Sequence, residues 1–280
     1  MDDGSSRDLI QHAWGMVSLP VLKNLMLQAS RLVKGAAVAD RIVLCGVPCF
    51  ILSKDPAPEL AAVLARKESV SQLSTIAETE IHLEDEATST RKFARGQYRQ
   101  RNVILHLTGG GFFAHTIASD LPYLLDWSSS TGSVVICPEY SLLPEHQFPT
   151  QLNEIERIYA ALASGNTGAE LGFDANSIIV TGESAGGNLA AALCVKLAMQ
   201  QQAESDNEND VQPSEQPVDS TTRKSRMPDA IMLSCPALNL TTELSHSRVV
   251  GTEDPVLPNT LISAISEAYL PSGTDNTHCL

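Results

Sequence analysis

The chain has 280 residues, 43% of them hydrophobic, and 33 acidic against 19 basic side chains give it a formal charge of −14. That length suits one large α/β domain or two small ones, and the apolar content is ordinary for a packed core. The acidic excess repels nucleic-acid phosphates and anionic membrane surfaces, so neither is an expected partner.

The N-terminus, "MDDGSSRDLI", is polar and acidic. A secretory signal needs a basic start and an apolar run, so the expected location is cytoplasmic. From about Arg7 to Arg66, apolar residues recur every three or four positions, with Pro20 breaking the run, and residues 1–70 read as a helical N-terminal or lid region. The most apolar stretch there, "IVLCGVPCFIL" (Ile42 to Leu52), is too short to span a bilayer. It reads as a buried hairpin or an interfacial segment, which leaves room for peripheral contact with a lipid surface.

Residues 71–280 change period. "TIAETEIHLED" alternates like a half-buried strand. "NVILHL" (102–107), "SVVICPEY" (133–140), "SIIVTG" (177–182) and "DAIMLSC" (229–235) are apolar runs of central strands covered on both faces. Helical stretches, "PTQLNEIERIYAALAS" and "AGGNLAAALCVKLAMQQ", separate them, so a mainly parallel sheet is expected. From Gln201 to Arg226 the chain holds no aromatic residue and two valines, and reads as a disordered surface insertion. Cys137, Cys194 and Cys235 lie in apolar runs and read as buried free thiols. Cys45 and Cys49 form the one close pair, without the partners a metal or redox site needs. No metal or cofactor is expected.

Gly182-Glu183-Ser184-Ala185-Gly186 follows one of these strands and opens a helix. Strand, sharp turn and helix form the context of a nucleophile elbow, which lifts a serine hydroxyl above the sheet edge at a helix N-terminus. Gly109, Gly110 and Gly111 follow the strand "VILHL". Without Cβ atoms their N–H groups can turn to one point, an oxyanion hole completed by the N–H of Ala185. No Lys-Ser/Thr follows the glycines, which excludes a P-loop. A Pro-rich loop, "PEYSLLPEHQFP", precedes the next helix.

"TGGGFF", "YSLLPEHQFP" and "GESAGGNL", in this order and spacing, resemble the hormone-sensitive lipase family of α/β-hydrolases. "PDAIMLSCPALNL" and "SHSRVVGTEDPVLPNTLISAISEAYL" resemble the animal members more narrowly, and the likeness runs from about Ile76 to Leu270. The resemblance implies an α/β-hydrolase fold and hydrolysis of a small-molecule or lipid carboxylic ester through an acyl-serine. Ser184 is then the nucleophile, and Gly110, Gly111 and Ala185 supply the oxyanion donors. Thr108 stands where the family usually has His, and Glu183 where it usually has Asp.

The base is not evident. The fold orders its triad as serine, acid, histidine, with a further strand before each of the last two. After Cys235 the sequence holds a loop, one helix (about Asn259 to Tyr269) and a polar tail. The last two strands read as absent, and Asp254 and His278 are weak triad candidates with no strand between them. His246 falls in a region packed over the site, His106 in a strand ahead of it and His115 just past the glycines; His12, His82 and His146 read as surface or packing residues. Two functions stand: an esterase or lipase impaired in this chain, or a non-catalytic ligand-binding relative such as the plant gibberellin receptors.

Overall fold

The computed structural model describes residues 38–54, 98–115, 117–165, 167–210, 226–241, 245–251, 254 and 257–271. Their strands are β1 (Val38–Leu44), β2 (Val47–Ser53), β3 (Arg99–Leu107), β4 (Val134–Pro138), β5 (Phe173–Glu183) and β6 (Ala230–Ser234). The helices are α1 (Ile117–Thr131), α2 (Thr150–Ser164), α3 (Gly168–Leu171), α4 (Ala185–Asp210), α5 (His246–Val250) and α6 (Asn259–Tyr269).

The strands form one sheet in the order β1-β2-β4-β3-β5-β6. β4, β3, β5 and β6 run parallel, β2 pairs antiparallel with β4, and β1 pairs antiparallel with β2. The period-2 alternation of side chains divides the core by face. Val103, Leu105 and Leu107 of β3, with Val134 and Ile136 of β4, enter one cluster with Ile155, Ile158, Leu189 and Leu193 of α2 and α4. Ile104, Val135 and Cys137 point the other way and meet Ile117, Leu121 and Leu124 of α1.

The β3–β5 pair carries an irregularity. Arg101 opposes Ala175 but Asn102 opposes Ser177, so Asn176 is the extra residue. The Asn102 amide oxygen accepts from Ser177 Oγ at 3.0 Å and Asn176 Nδ2 at 3.3 Å, which pins that register.

Four expectations change. The hairpin β1–β2 interrupts the helical region read over residues 1–70; the rest of that region and the alternating stretch at 75–85 lie outside the described residues. Cys45 and Gly46, both at positive φ (52° and 82°), make its two-residue turn. Helix α4 continues to Asp210, well into the stretch read as a disordered insertion, while 211–225 lie outside the described residues. Gln, Glu and Ala propagate a helix as readily in a polar stretch as in an apolar one. Cys235 is exposed and Cys194 half-buried, because β6 is the outermost strand among the described residues and α4 shows that side chain at its rim. For the same reason β6 is not covered on both faces: Ala230, Ile231 and Met232 are all exposed. No helix among the described residues is long and apolar enough to cross a membrane.

Candidate functional site

Ser184 lies between the last residue of β5 and the first of α4, at φ 51°, a left-handed conformation that L side chains rarely adopt. The turn is held from three sides. Ser184 N–H donates to Ser234 O at 2.9 Å, and its carbonyl accepts from Asn188 N–H at 3.1 Å and Ala237 N–H at 3.0 Å. Gly182 and Gly186 allow the tightness. A Cβ on Gly182 would run into the Gly186 carbonyl, and one on Gly186 into the carbonyls of Leu107 and Thr108. Helix α4 therefore begins pressed against the end of β3, where the glycine loop starts.

That loop abuts the elbow: a Cβ placed on Gly109 would sit 3.2 Å from Glu183 O and 3.4 Å from Ser184 Cβ. Gly110 (φ 108°), Gly111 (φ 61°) and Phe112 (φ 62°) turn the chain back. Three of the loop's carbonyls are engaged away from the serine. Thr108 O accepts Tyr140 O–H at 2.7 Å, Gly110 O accepts the N–H groups of Phe113 and Ala114, and Phe112 O accepts Leu143 N–H at 2.9 Å. The N–H groups of Gly110, Gly111 and Ala185 donate to nothing among the described residues. Ala185 opens α4, whose first N–H groups have no intrahelical acceptor. Tyr140 belongs to the Pro-rich loop and is fully buried, with burial, above all, pushing its phenol well above the usual range. It remains a donor, which gives "PEYSLLPEHQFP" a role that sequence reading missed.

Behind the elbow, on the α1 face, lies a polar group in an otherwise apolar layer. His106 Nδ1 is 2.8 Å from Thr181 Oγ1, and Nε2 is 3.2 Å from Asp120 Oδ2; both His106 and Asp120 are 2% exposed. A carboxylate only accepts, so Nε2 carries a hydrogen towards Asp120, and the Thr181 hydroxyl, which can donate or accept, meets Nδ1. Tyr123 O–H reaches Glu183 Oε2 at 3.3 Å. Burial first, then the charges of Asp120 and Glu183, push that phenol far up, so it stays a donor. A cavity of about 190 Å³ opens beside the group, lined by His106, Tyr123, Trp127, Thr181, Glu183 and Met232 among others. His106 thus spends both nitrogens on Thr181 and Asp120, and Ser184 Oγ makes no hydrogen bond among the described residues.

Asp254 is exposed, and its Oδ1 accepts the N–H of Leu257 at 2.9 Å within its own loop. His278, His12 and His82 lie outside the described residues. His246 is exposed at the start of α5, and His115 meets the Tyr140 ring edge-on at 5.0 Å. Thr108 is buried, and its Oγ1 has no hydrogen-bond partner among the described residues. No group of three or more metal-ligating side chains occurs among the described residues.

A family profile described as the α/β-hydrolase fold matches residues 104–280. The human hormone-sensitive lipase is 34% identical over 178 residues, which are 64% of this chain and 14% of that protein. The mouse hormone-sensitive lipase is 30% identical over 220 residues, 79% of this chain and 25% of that one. The chain thus spans a quarter or less of the length of these two relatives. Among solved structures, the Pyrobaculum calidifontis esterase superposes with a TM-score of 0.57 at 18% identity, over 99% of this chain and 67% of that chain. An esterase from the bacterial hormone-sensitive lipase family gives 0.54 at 18%, over 99% and 65%. These likenesses carry the fold, while the sequence matches carry the relationship. The chain belongs to the α/β-hydrolase-fold family, in the group that includes the hormone-sensitive lipases.

Proposed function

We propose that this protein is a carboxylic-ester hydrolase in which Ser184 attacks the acyl carbon. The Oγ–C bond forms as the carbonyl π bond breaks, and the resulting oxyanion takes the N–H groups of Gly110, Gly111 and Ala185. Collapse expels the alcohol and leaves an acyl-serine, which water hydrolyses. The observation that carries this reading is that the N–H groups of Gly110, Gly111 and Ala185 find no acceptor among the described residues while the carbonyls of Thr108, Gly110 and Phe112 are engaged elsewhere. Small-molecule or lipid esters fit the names of the relatives, a lipase and an esterase; a cytoplasmic location and peripheral contact with a lipid surface are part of the same proposal.

Proton removal from Ser184 is the weak step. His106 is occupied with Asp120 and Thr181, and Asp254 with its own loop. We therefore assign this 280-residue chain a turnover below the usual range of about 1–1,000 per second. A non-catalytic ligand-binding role is the second reading, favoured by the same unpartnered Ser184 hydroxyl. Hydrolysis of p-nitrophenyl butyrate and labelling by a fluorophosphonate, each lost in Ser184→Ala, support the esterase. Folded wild type that neither labels nor turns over supports the binder.

A further inference from the structure

Helix α6 reaches the oxyanion loop from a distant part of the sequence. The Tyr269 ring stacks on the Phe112 ring, centroids 3.8 Å apart and planes within 10°. Both side chains are 1% exposed. Phe148 closes the other side of Tyr269 edge-on at 5.6 Å, and its N–H donates to Tyr269 O at 2.9 Å. One turn earlier, Ile265 seats Gly111: a Cβ on that glycine would come 3.0 Å from Ile265 Cδ1. The end of α6 is tied to the Pro-rich loop again by Gln147 Nε2, which donates to Ala268 O at 2.9 Å.

Phe112 is the strained member of the loop. A bulky residue at φ 62° is an outlier that persists only when its surroundings over-determine it. Here Leu143 N–H grips the carbonyl, and Tyr269 stacks on the ring within the main apolar cluster. If Phe112 relaxed to negative φ, the chain on its glycine side would have to swing to stay closed, and the Gly110 and Gly111 N–H groups would move with it. The Tyr269 hydroxyl itself is buried without a hydrogen-bond partner among the described residues, so the ring alone serves this contact.

We propose that Tyr269, with Ile265 beside it, is a positioning residue for the oxyanion hole: it clamps Phe112 in the left-handed conformation that aims the Gly110 and Gly111 N–H groups at the Ser184 adduct. The inference rests on the ester-hydrolase reading for its chemical purpose, and on the ring stack alone for its geometry.

The test compares Tyr269→Phe, Tyr269→Leu and the milder Ile265→Ala in the full chain. Two quantities are read: amide hydrogen exchange across residues 109–113 against β3 and β5, and Ser184-dependent hydrolysis of p-nitrophenyl butyrate. Tyr269→Leu, which keeps apolar volume but not the flat stack, is expected to speed exchange in the loop about tenfold while β3 and β5 stay protected. Its kcat is expected to fall about 10- to 100-fold with KM nearly unchanged, as for a misplaced transition-state contact. Ile265→Ala should move both quantities the same way by less, and Tyr269→Phe should match wild type in both. Loop exchange unchanged in Tyr269→Leu, or raised equally in β3 and β5, overturns the proposal, as does a loop loosened by Tyr269→Phe. Should Tyr269→Leu not fold, Ile265→Ala and Tyr269→Phe decide by the same criteria. Wild type without Ser184-dependent hydrolysis would refute the esterase reading and leave the clamp to be judged by exchange alone.

Discussion

The glycine-loop side of Ser184 and the side that begins at β6 differ in how much of the fold stands behind them. On the first, Leu107 and Ala185 are at most 1% exposed, and the loop is gripped by Tyr140, Leu143 and Tyr269. On the second, Ile231 and Met232 are each 44% exposed, and the Asp254 carboxylate bonds within its own loop. The difference follows from chemistry. Presenting a nucleophile and its oxyanion donors needs one strand–turn–helix and one neighbouring loop, all close to β3 and β5. Supplying a base needs a side chain delivered from elsewhere with its own orienting partner.

Four measurements break or sharpen that contrast. The largest effect is expected for Gly186→Val, whose side chain has to displace the Leu107 and Thr108 carbonyls. It should cost about 3 kcal/mol or more in urea melts and abolish fluorophosphonate labelling. A stable, labelled variant would mean that the elbow is looser than described. Next comes His106→Ala, which removes one hydrogen-bond partner of the buried Asp120 carboxylate and should cost about 2–3 kcal/mol. If it instead left stability untouched and removed hydrolysis, His106 would be the missing base and not a buried structural residue.

A smaller effect is expected at the start of β6. Asp229 accepts the Ile178 N–H at 2.7 Å and pairs with Arg226, and these hold its carboxyl below the usual carboxylate range, the backbone bond first. A depressed folded value means that the stabilisation is present above the unfolded carboxylate range and fades as pH falls through the folded one. Thermal melts of Asp229→Asn should therefore lie below wild type near neutral pH, by under about 1 kcal/mol for so exposed a group. The two curves should converge in acid; a gap that persists there removes the carboxylate explanation. The smallest effect belongs to Asp254→Asn, expected within about 0.5 kcal/mol of wild type and without influence on Ser184-dependent turnover. A turnover loss there would make Asp254 the acid and bring the second side of the site back into play.

Much of this arrangement was legible beforehand, for identifiable reasons. Helix Asn259–Tyr269 has the bounds its amphipathic spacing implies, and β4 and β6 fall within the apolar runs that announced them, while β3 and β5 start earlier, at Arg99 and Phe173, than their runs at 102 and 177. The elbow and the glycine loop were readable because their function is carried by backbone, and glycine is how a sequence records backbone demands. Helix α1 was missed: Pro122 and three consecutive serines, Ser128 to Ser130, mask a segment whose Leu121, Leu124 and Leu125 pack on the sheet. The β1–β2 turn was ambiguous because its positive-φ positions are Cys45 and Gly46, without the Asn or Asp that usually signals such a turn. The His106–Asp120 and Phe112–Tyr269 partnerships leave no local trace, since each joins elements that only the folded chain brings together.

The extra residue at Asn176 has a bearing on what lengths of chain this scaffold tolerates. Beyond it, every β3 residue faces a fixed β5 partner as far as Leu107 and Gly182, so the glycine loop and the elbow leave the sheet side by side. A residue inserted before Arg101 can be absorbed by shifting the strand's exposed start. One inserted between Asn102 and Leu107 would exchange the two faces of the strand. His106 would then enter the apolar layer under α4, and Leu105 or the inserted residue would take its place opposite Asp120. Asn102, which holds the irregularity with its side chain, therefore acts as a stop that separates a segment free to drift in length from one in which a single added residue would undo both the buried polar group and the site above it.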